Sequence, residues 1–154
     1  SILKVVTNYL ASVHLVALAE ALTASKVMGL DMNVTYEAIK ASSGNSFVHE
    51  TESQVILNGS RDISFTMDLV SKDVGLFDMV TKRHGLPLEL APLMVDIFKD
   101  GQLRYGDREL SPNIIRRLEE ACDVQVLAQG FPAQMQDDEE EVPGYEVSIP
   151  LRRS

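Results

Sequence analysis

The stretch of sequence that decides the fold is residues 2–30, ILKVVTNYLASVHLVALAEALTASKVMGL. It contains no proline, and its only glycine is Gly29, so nothing interrupts a helix over almost its whole length. Valine, leucine and alanine occupy nearly every angular position, which is typical of a helix that is buried on most sides. The sequence therefore predicts one unbroken helix from near residue 2 to near residue 29, and predicts that it is the most buried element.

Two polar side chains, Lys4 and Asn8, lie near the start of this apolar helix. Residues four apart share one helix face, so the ammonium and the amide point into the same space. An unpaired ammonium is costly in an apolar interior, so Lys4 must line a cleft or contact a partner. The pair suits a site that binds an oxygen atom and moves a proton. The alternative, which the spacing alone favours, is a lysine that extends into solvent from the first turn of a surface helix.

The composition limits the class of protein. The chain has 154 residues, of which 45% are hydrophobic and 24% charged, as is typical of one globular domain with a substantial core. The polar residues along the first helix argue against a membrane-spanning segment. The net charge is −9 and no basic stripe is present, so nucleic-acid binding is not expected.

Metal and disulfide sites are not expected either. His14, His49 and His84 are each 35 residues apart and have no clustered cysteines near them, which argues against a zinc site. Cys122 is the only cysteine, which excludes an internal disulfide and fits a reducing compartment such as the cytoplasm. We expect Cys122 to be a small buried residue. The pattern of a signal peptide is absent.

Capping residues and apolar spacing divide the rest of the chain into five further helices. No segment before residue 131 alternates apolar and polar residues convincingly, so residues 1–130 are predicted to form an all-α domain. The predicted helices are residues 33–41, capped by Asn33, then 46–57, 65–84, 88–102 and 111–122. Residues 131–154, with five adjacent acids at 137–141, are predicted to form a flexible acidic tail.

Three segments resemble the β-hydroxyacid dehydrogenases, a family that includes 3-hydroxyisobutyrate dehydrogenase and tartronate semialdehyde reductase. The first is KVVTN at residues 4–8, followed by AEAL at 19–22 and GLD at 29–31, which is similar to the helix after the Rossmann domain of that family. The second is FTMDLVSKD at residues 65–73. The third is the Ser- and Gly-rich loop at residues 42–46. Each motif alone is weak evidence for the resemblance, whereas the three motifs in order and at the family's spacing are strong evidence together.

The resemblance implies the helical C-terminal domain of the 6-phosphogluconate dehydrogenase-like type, packed against a Rossmann domain that this chain lacks. It implies oxidation of a short β-hydroxyacid, or reduction of its semialdehyde, with NAD or NADP bound mainly by the missing domain. The segment VHLVALAEA at residues 13–21 is similar to the L-threonate dehydrogenase branch, although this one segment does not decide the substrate.

The resemblance also implies the site residues. Lys4 matches the catalytic lysine, which exchanges a proton with the substrate hydroxyl, and Asn8 matches the residue that holds the substrate or the lysine. On the cofactor side, Lys72 would approach the dinucleotide, Asp73 would fix its helix at the cleft, and Phe65 would pack at the domain junction. We expect Lys4, Asn8 and Lys72 to converge on one open cleft within about 10 Å.

Two interpretations from different classes stay open. The first is the C-terminal domain of such a dehydrogenase, which alone should neither bind the dinucleotide well nor turn over. The second is a non-catalytic helical module that uses its apolar first helix only to dimerise. A homo-oligomer is expected, as a two-fold dimer with the first and fifth helices at the contact and the acidic tail outside it. A residue of the missing domain selects between NAD and NADP, so both stay possible.

Overall fold

A computed structural model describes residues 1–137 and Pro150, and this part of the chain is all-α, as predicted. Its helices are α1 Ile2–Val27, α2 Met32–Lys40, α3 Phe47–Asn58, α4 Met67–Arg83, α5 Leu90–Tyr105 and α6 Arg116–Cys122, with a 3₁₀ helix at Ser111–Ile115 before α6. The last predicted helix is therefore divided in two. An isolated antiparallel bridge joins Thr66 to Leu110.

Helix α1 is unbroken, as predicted, but it is not the most buried element. Its second half supplies buried core residues, including Leu15, Leu18 and Leu22. Its first half is largely exposed, with Leu3 71% and Leu10 51% accessible. Eight of the 12 residues of α3 are buried, against seven of the 26 residues of α1. The prediction was wrong because this chain covers only one side of the first half of α1.

By length and composition, α1 is also apolar enough to cross a membrane. A core helix of a globular fold has the same properties, and α1 contacts every other helix of the described fold. These contacts account for the apolar residues of its second half without a lipid environment.

Of the helix starts that differ from the predicted ones, those of α2 and α4 have a clear structural cause. Helix α2 is capped by Asp31, whose Oδ1 accepts a hydrogen bond from the backbone N–H of Asn33, so Asn33 is not the cap. Phe65 precedes α4 rather than beginning it, because its carbonyl accepts a hydrogen bond from the backbone N–H of Ser111 at 2.8 Å. This pairing brings the 3₁₀ helix to the start of α4.

The core lies where α1, α3, α4 and α5 meet the 3₁₀ helix. Its fully buried side chains include Leu22, Ile56, Met67, Val74, Phe98 and Ile115. Gly101 lets α5 approach the 3₁₀ helix closely, since a Cβ atom at this position would lie 2.8 Å from Ile114 Cδ1. A buried ion pair between Arg61 and Glu119, at 3.0 Å, ties the segment before α4 to α6.

Two expectations about the C-terminal region need correction. Cys122 is exposed rather than buried, because α6 buries none of its residues. The segment after α6 folds back on α3, where Gln54 Nε2 donates to the Gln136 carbonyl at 2.8 Å and the Gln136 N–H donates to Gln54 Oε1 at 2.9 Å. The packed fold thus extends through Gln136, beyond the predicted boundary at residue 130. Of the acidic run, only Asp137 is among the described residues.

Candidate active site

The seam between α1 and α4 carries the two polar motifs that the sequence singled out. Tyr9 of α1 stacks on Phe77 of α4, with ring centroids 3.8 Å apart and an interplanar angle of 8°. One residue earlier, Asn8 Nδ2 donates a hydrogen bond to Asp73 Oδ2 at 3.0 Å. The structure thereby brings together Asn8 and Asp73, two of the predicted site residues.

The hydrogen bond to Asp73 fixes which group Asn8 presents to a ligand. A carboxylate only accepts hydrogen bonds, so the NH₂ group of Asn8 must face Asp73. The Asn8 carbonyl oxygen is then the group left to accept a hydrogen bond from a bound molecule. The resemblance placed Asp73 on the cofactor side, whereas its observed contact is with Asn8, 65 residues away in sequence.

The two predicted lysines face solvent in this chain. Lys4 and Lys72 are exposed, and no carboxylate of residues 1–137 lies within ion-pair distance of either ammonium. Lys4 lies one turn before Asn8, and Lys72 directly precedes Asp73, so the Asn8–Asp73 hydrogen bond joins the helix segments that carry both lysines. Their convergence on one cleft stays a prediction.

A cavity of about 240 Å³ opens beside Asn8. Its lining includes Phe65, which the sequence also predicted as a site residue, but neither Lys4 nor Lys72. The lining residues are Asn8, Ser12, Glu52, Phe65 and Ser111, with the apolar side chains Ala11, Leu15, Ile63 and Val70. The volume lies below the usual range for drug-sized ligands and suits a smaller molecule.

Glu52 is the cavity residue that the sequence analysis missed. Its carboxyl forms no hydrogen bond or ion pair with the residues that the structure describes. Burial raises the pKa of Glu52 from 4.5 to about 7. A signal was present in the sequence, because Glu52 is four residues from both Val48 and Ile56, which are buried on α3. This spacing places a carboxyl on an apolar helix face.

A second cavity, of about 370 Å³, lies between α1 and the loop that follows α2. His14 and His49 both line it. The His49 ring is engaged at both nitrogens, since Nε2 lies 2.9 Å from the Tyr36 carbonyl and Nδ1 lies 2.8 Å from the Ser53 hydroxyl. Burial lowers the pKa of His49, which favours the neutral ring. His49 is therefore a satisfied core residue.

Comparison with protein families gives a match over residues 1–118, to the family described as NAD-binding of NADP-dependent 3-hydroxyisobutyrate dehydrogenase. The chain is 32% identical to 2-(hydroxymethyl)glutarate dehydrogenase of Eubacterium barkeri, over 80% of this chain and 41% of that protein. It is 30% identical to L-threonate dehydrogenase of Haemophilus influenzae, over 69% of this chain and 36% of that protein.

Two solved structures superpose on this chain and share its fold. A 3-hydroxyisobutyrate dehydrogenase from Salmonella typhimurium superposes with a TM-score of 0.69 at 29% identity, over 76% of this chain and 41% of that chain. The 3-hydroxyisobutyrate dehydrogenase of Mycobacterium tuberculosis, in a structure with L-serine, superposes with a TM-score of 0.67 at 24% identity, over 75% of this chain and 42% of that chain. The chain thus spans about two-fifths of the length of these relatives.

Proposed function

Because the chain belongs to the family of NADP-dependent 3-hydroxyisobutyrate dehydrogenases, we propose that it is the helical part of an enzyme that oxidises a short β-hydroxyacid or reduces the corresponding semialdehyde. The observation that carries this proposal is the Asn8–Asp73 hydrogen bond beside a cavity of small-molecule size. A dinucleotide, when bound, supplies the hydride acceptor or donor for such a reaction.

In this proposal Lys4 moves the proton at the substrate hydroxyl. The exposed Lys4 ammonium forms no ion pair with the described residues, so it is available to a substrate that lies within hydrogen-bond reach. The Asn8 carbonyl oxygen accepts a hydrogen bond from the substrate hydroxyl or from the lysine. Asp73 acts as a positioning residue, since it holds the Asn8 amide in the orientation that presents this oxygen.

The dinucleotide would meet this chain mainly through Lys72. Its ammonium is exposed and has no carboxylate partner among residues 1–137, which suits the negative charge of a dinucleotide. Phe65 would pack on the cofactor side, at the junction with the dinucleotide-binding domain. The relatives are more than twice as long as the matched part of this chain, which leaves room for a dinucleotide-binding domain elsewhere in the protein. We expect residues 1–154 alone to be inactive, and propose a cytoplasmic location.

A substrate panel tests the proposal. The whole protein, comprising this chain and a dinucleotide-binding domain, is assayed with NAD⁺ and NADP⁺ against short β-hydroxyacids, and dinucleotide reduction is followed by absorbance. We expect turnover of at least one β-hydroxyacid with one of the two dinucleotides. The second candidate, a non-catalytic dimerisation module, predicts no turnover with any of them, and its motivation is the exposed apolar first half of α1.

A further inference from the structure

Glu52 is the only charged side chain that lines the cavity beside Asn8, as judged over residues 1–137. The other polar groups of the lining are the Asn8 amide and the hydroxyls of Ser12 and Ser111. The Ser12 hydroxyl already donates to the Asn8 backbone carbonyl at 2.8 Å. The cavity therefore presents an amide, hydroxyls and a carboxyl to a ligand, and it lacks a cation that would pair with a carboxylate.

From this lining we infer that Glu52 determines substrate specificity, by selecting β-hydroxyacids whose C2 substituent donates hydrogen bonds and by excluding those with a second carboxylate. The inference rests on the proposed function, since it places the substrate beside Asn8. A hydroxyl or ammonium substituent can pair with the Glu52 carboxyl. A methyl substituent displaces solvent from that carboxyl and offers it no hydrogen bond, which is costly. A second carboxylate is repelled by the ionised form of the carboxyl.

The half-buried setting of Glu52 favours this selection. The carboxyl has no hydrogen-bond partner among the described residues, so no protein group competes with a donor on the ligand. Burial raises its pKa to about 7, so that near neutral pH both the protonated and the ionised forms are populated. A hydroxyl can pair with either form, because it both donates and accepts. An ammonium pairs with the ionised form.

One matched series of substrates tests this inference. Glycerate, serine, 3-hydroxyisobutyrate and 2-(hydroxymethyl)glutarate are all 3-hydroxypropanoates, and they differ at C2 by a hydroxyl, an ammonium, a methyl and a carboxyethyl group. In the whole enzyme at pH 8, where the ionised form of Glu52 predominates, we expect kcat/KM to be highest for glycerate or serine and lowest for 2-(hydroxymethyl)glutarate.

Substitution of Glu52 should change this ranking. In Glu52→Gln the ratio of kcat/KM for the better of glycerate and serine to that for 2-(hydroxymethyl)glutarate should fall about tenfold, since the repulsive charge is gone. In Glu52→Lys the dicarboxylate should become the preferred substrate. Glu50→Gln is the matched control, because Glu50 lies on the same helix and does not line the cavity, and its ratio should equal that of the wild type.

The outcomes separate this inference from the proposed function. If none of the four compounds is turned over with either dinucleotide, the proposed function fails and the inference fails with it. If they are turned over but the ratio is unchanged in Glu52→Gln, only the specificity role of Glu52 is overturned. The glutamine is isosteric with the glutamate, so this ratio can be measured even if Glu52→Lys does not fold. A larger loss for serine than for glycerate in Glu52→Gln identifies the ammonium as the pairing group, and a larger loss for glycerate identifies the hydroxyl.

Discussion

At Lys4 the chain presents an unpaired ammonium one helical turn from the amide that faces the cavity. If this group transfers the proton, Lys4→Ala in the whole enzyme should lower kcat by about 10²-fold or more, with a smaller effect on the KM for the dinucleotide. Lys40→Ala, the same change at an exposed lysine on α2, is the control and should leave both values unchanged. Unchanged turnover of the Lys4 variant would rule out proton transfer by this residue.

Lys72 on α4 should give the opposite kinetic pattern. Lys72→Ala removes the cation that is proposed to meet the dinucleotide, so we expect a higher KM for the dinucleotide with little change in kcat at saturation. Steady-state kinetics at fixed hydroxyacid and varied dinucleotide measure this. A lowered kcat with an unchanged dinucleotide KM would contradict the assignment.

Glu52 also makes the stability of the chain depend on pH. Because burial raises its pKa from 4.5 to about 7, the folded state keeps a proton that the unfolded state releases between these values. The free energy of unfolding should therefore fall as the pH rises through this window, by at most about 3 kcal/mol from this group. In Glu52→Gln the free energy of unfolding should no longer fall by this amount between pH 5 and pH 8. Urea unfolding of residues 1–154 at the two pH values measures the difference.

A second buried group acts in the opposite direction. Burial lowers the pKa of His49, so its contribution to stability is present above pH 6.5 and is lost as the pH falls through the folded pKa. The difference between wild type and Glu52→Gln, rather than the wild-type curve alone, isolates the effect of Glu52. Glu20→Gln, the same change at an exposed position on α1, is the control and should show the same difference between pH 5 and pH 8 as the wild type.

At the residue scale, the sequence singled out Asn8, Asp73 and Phe65 but did not predict the contacts that they make. Asn8 and Phe65 line one cavity, and their roles there stay predictions. The hydrogen bond between Asn8 and Asp73 was not predicted, because it depends on how α1 and α4 pack rather than on any local spacing. Glu52 could have been found from its place on the buried face of α3, but no family motif points to it.

At the scale of elements, local chemistry decided the boundaries that were predicted correctly. Helix α3 begins after Ser46, whose hydroxyl accepts a hydrogen bond from the His49 N–H, and it ends at Gly59 with φ at +97°. The start of α4 was missed because Phe65 is held by the distant backbone of Ser111, a contact that sequence spacing does not encode. The exposure of the first half of α1 was missed for a related reason, since apolarity does not reveal which partner covers it.

The junction between the segment before α4 and α6 should be a main source of stability. Arg61 is 5% exposed, and its guanidinium donates to both carboxylate oxygens of Glu119. Burial acts to raise the pKa of Glu119, but the hydrogen bonds from Arg61 and the Val126 N–H, together with the charges of Arg61 and Arg116, outweigh it and the pKa is lowered. Arg61→Ala would leave this carboxylate buried and unpaired, so the free energy of unfolding should fall by about 3–5 kcal/mol.

An exposed ion pair provides the comparison for Arg61. Arg104 is 49% accessible where it pairs with Asp100 on α5. Arg104→Ala should therefore lower the free energy of unfolding by less than about 1 kcal/mol. Urea unfolding of the three proteins at one pH measures both effects. Equal losses for the two variants would show that the Arg61–Glu119 pair contributes no more to stability than an exposed ion pair.

At the scale of the whole molecule, α1 and α5 both carry large apolar side chains that are exposed in the described part of the chain. Leu3 on α1 is 71% accessible, and Leu103 on α5 is 87% accessible. Further exposed apolar residues on the same two helices are Ile2, Val6, Leu10, Leu90 and Leu93. Large exposed apolar patches mark interaction sites, so these helix faces are the candidate surfaces for another domain or for a second copy of the chain.

We therefore expect residues 1–154 to form a two-fold dimer through α1 and α5, because a self-complementary contact buries both apolar helix faces at once. Light scattering at micromolar concentration should give a mass about twice the 17.0 kDa of one chain. Leu103→Glu places a charge in the proposed contact and should shift the mass toward the monomer. Val34→Glu makes the same change at an exposed position on α2, 64% accessible, and should leave the dimer intact. A wild-type mass of 17.0 kDa, or equal dissociation by both variants, would show that these faces serve a different partner.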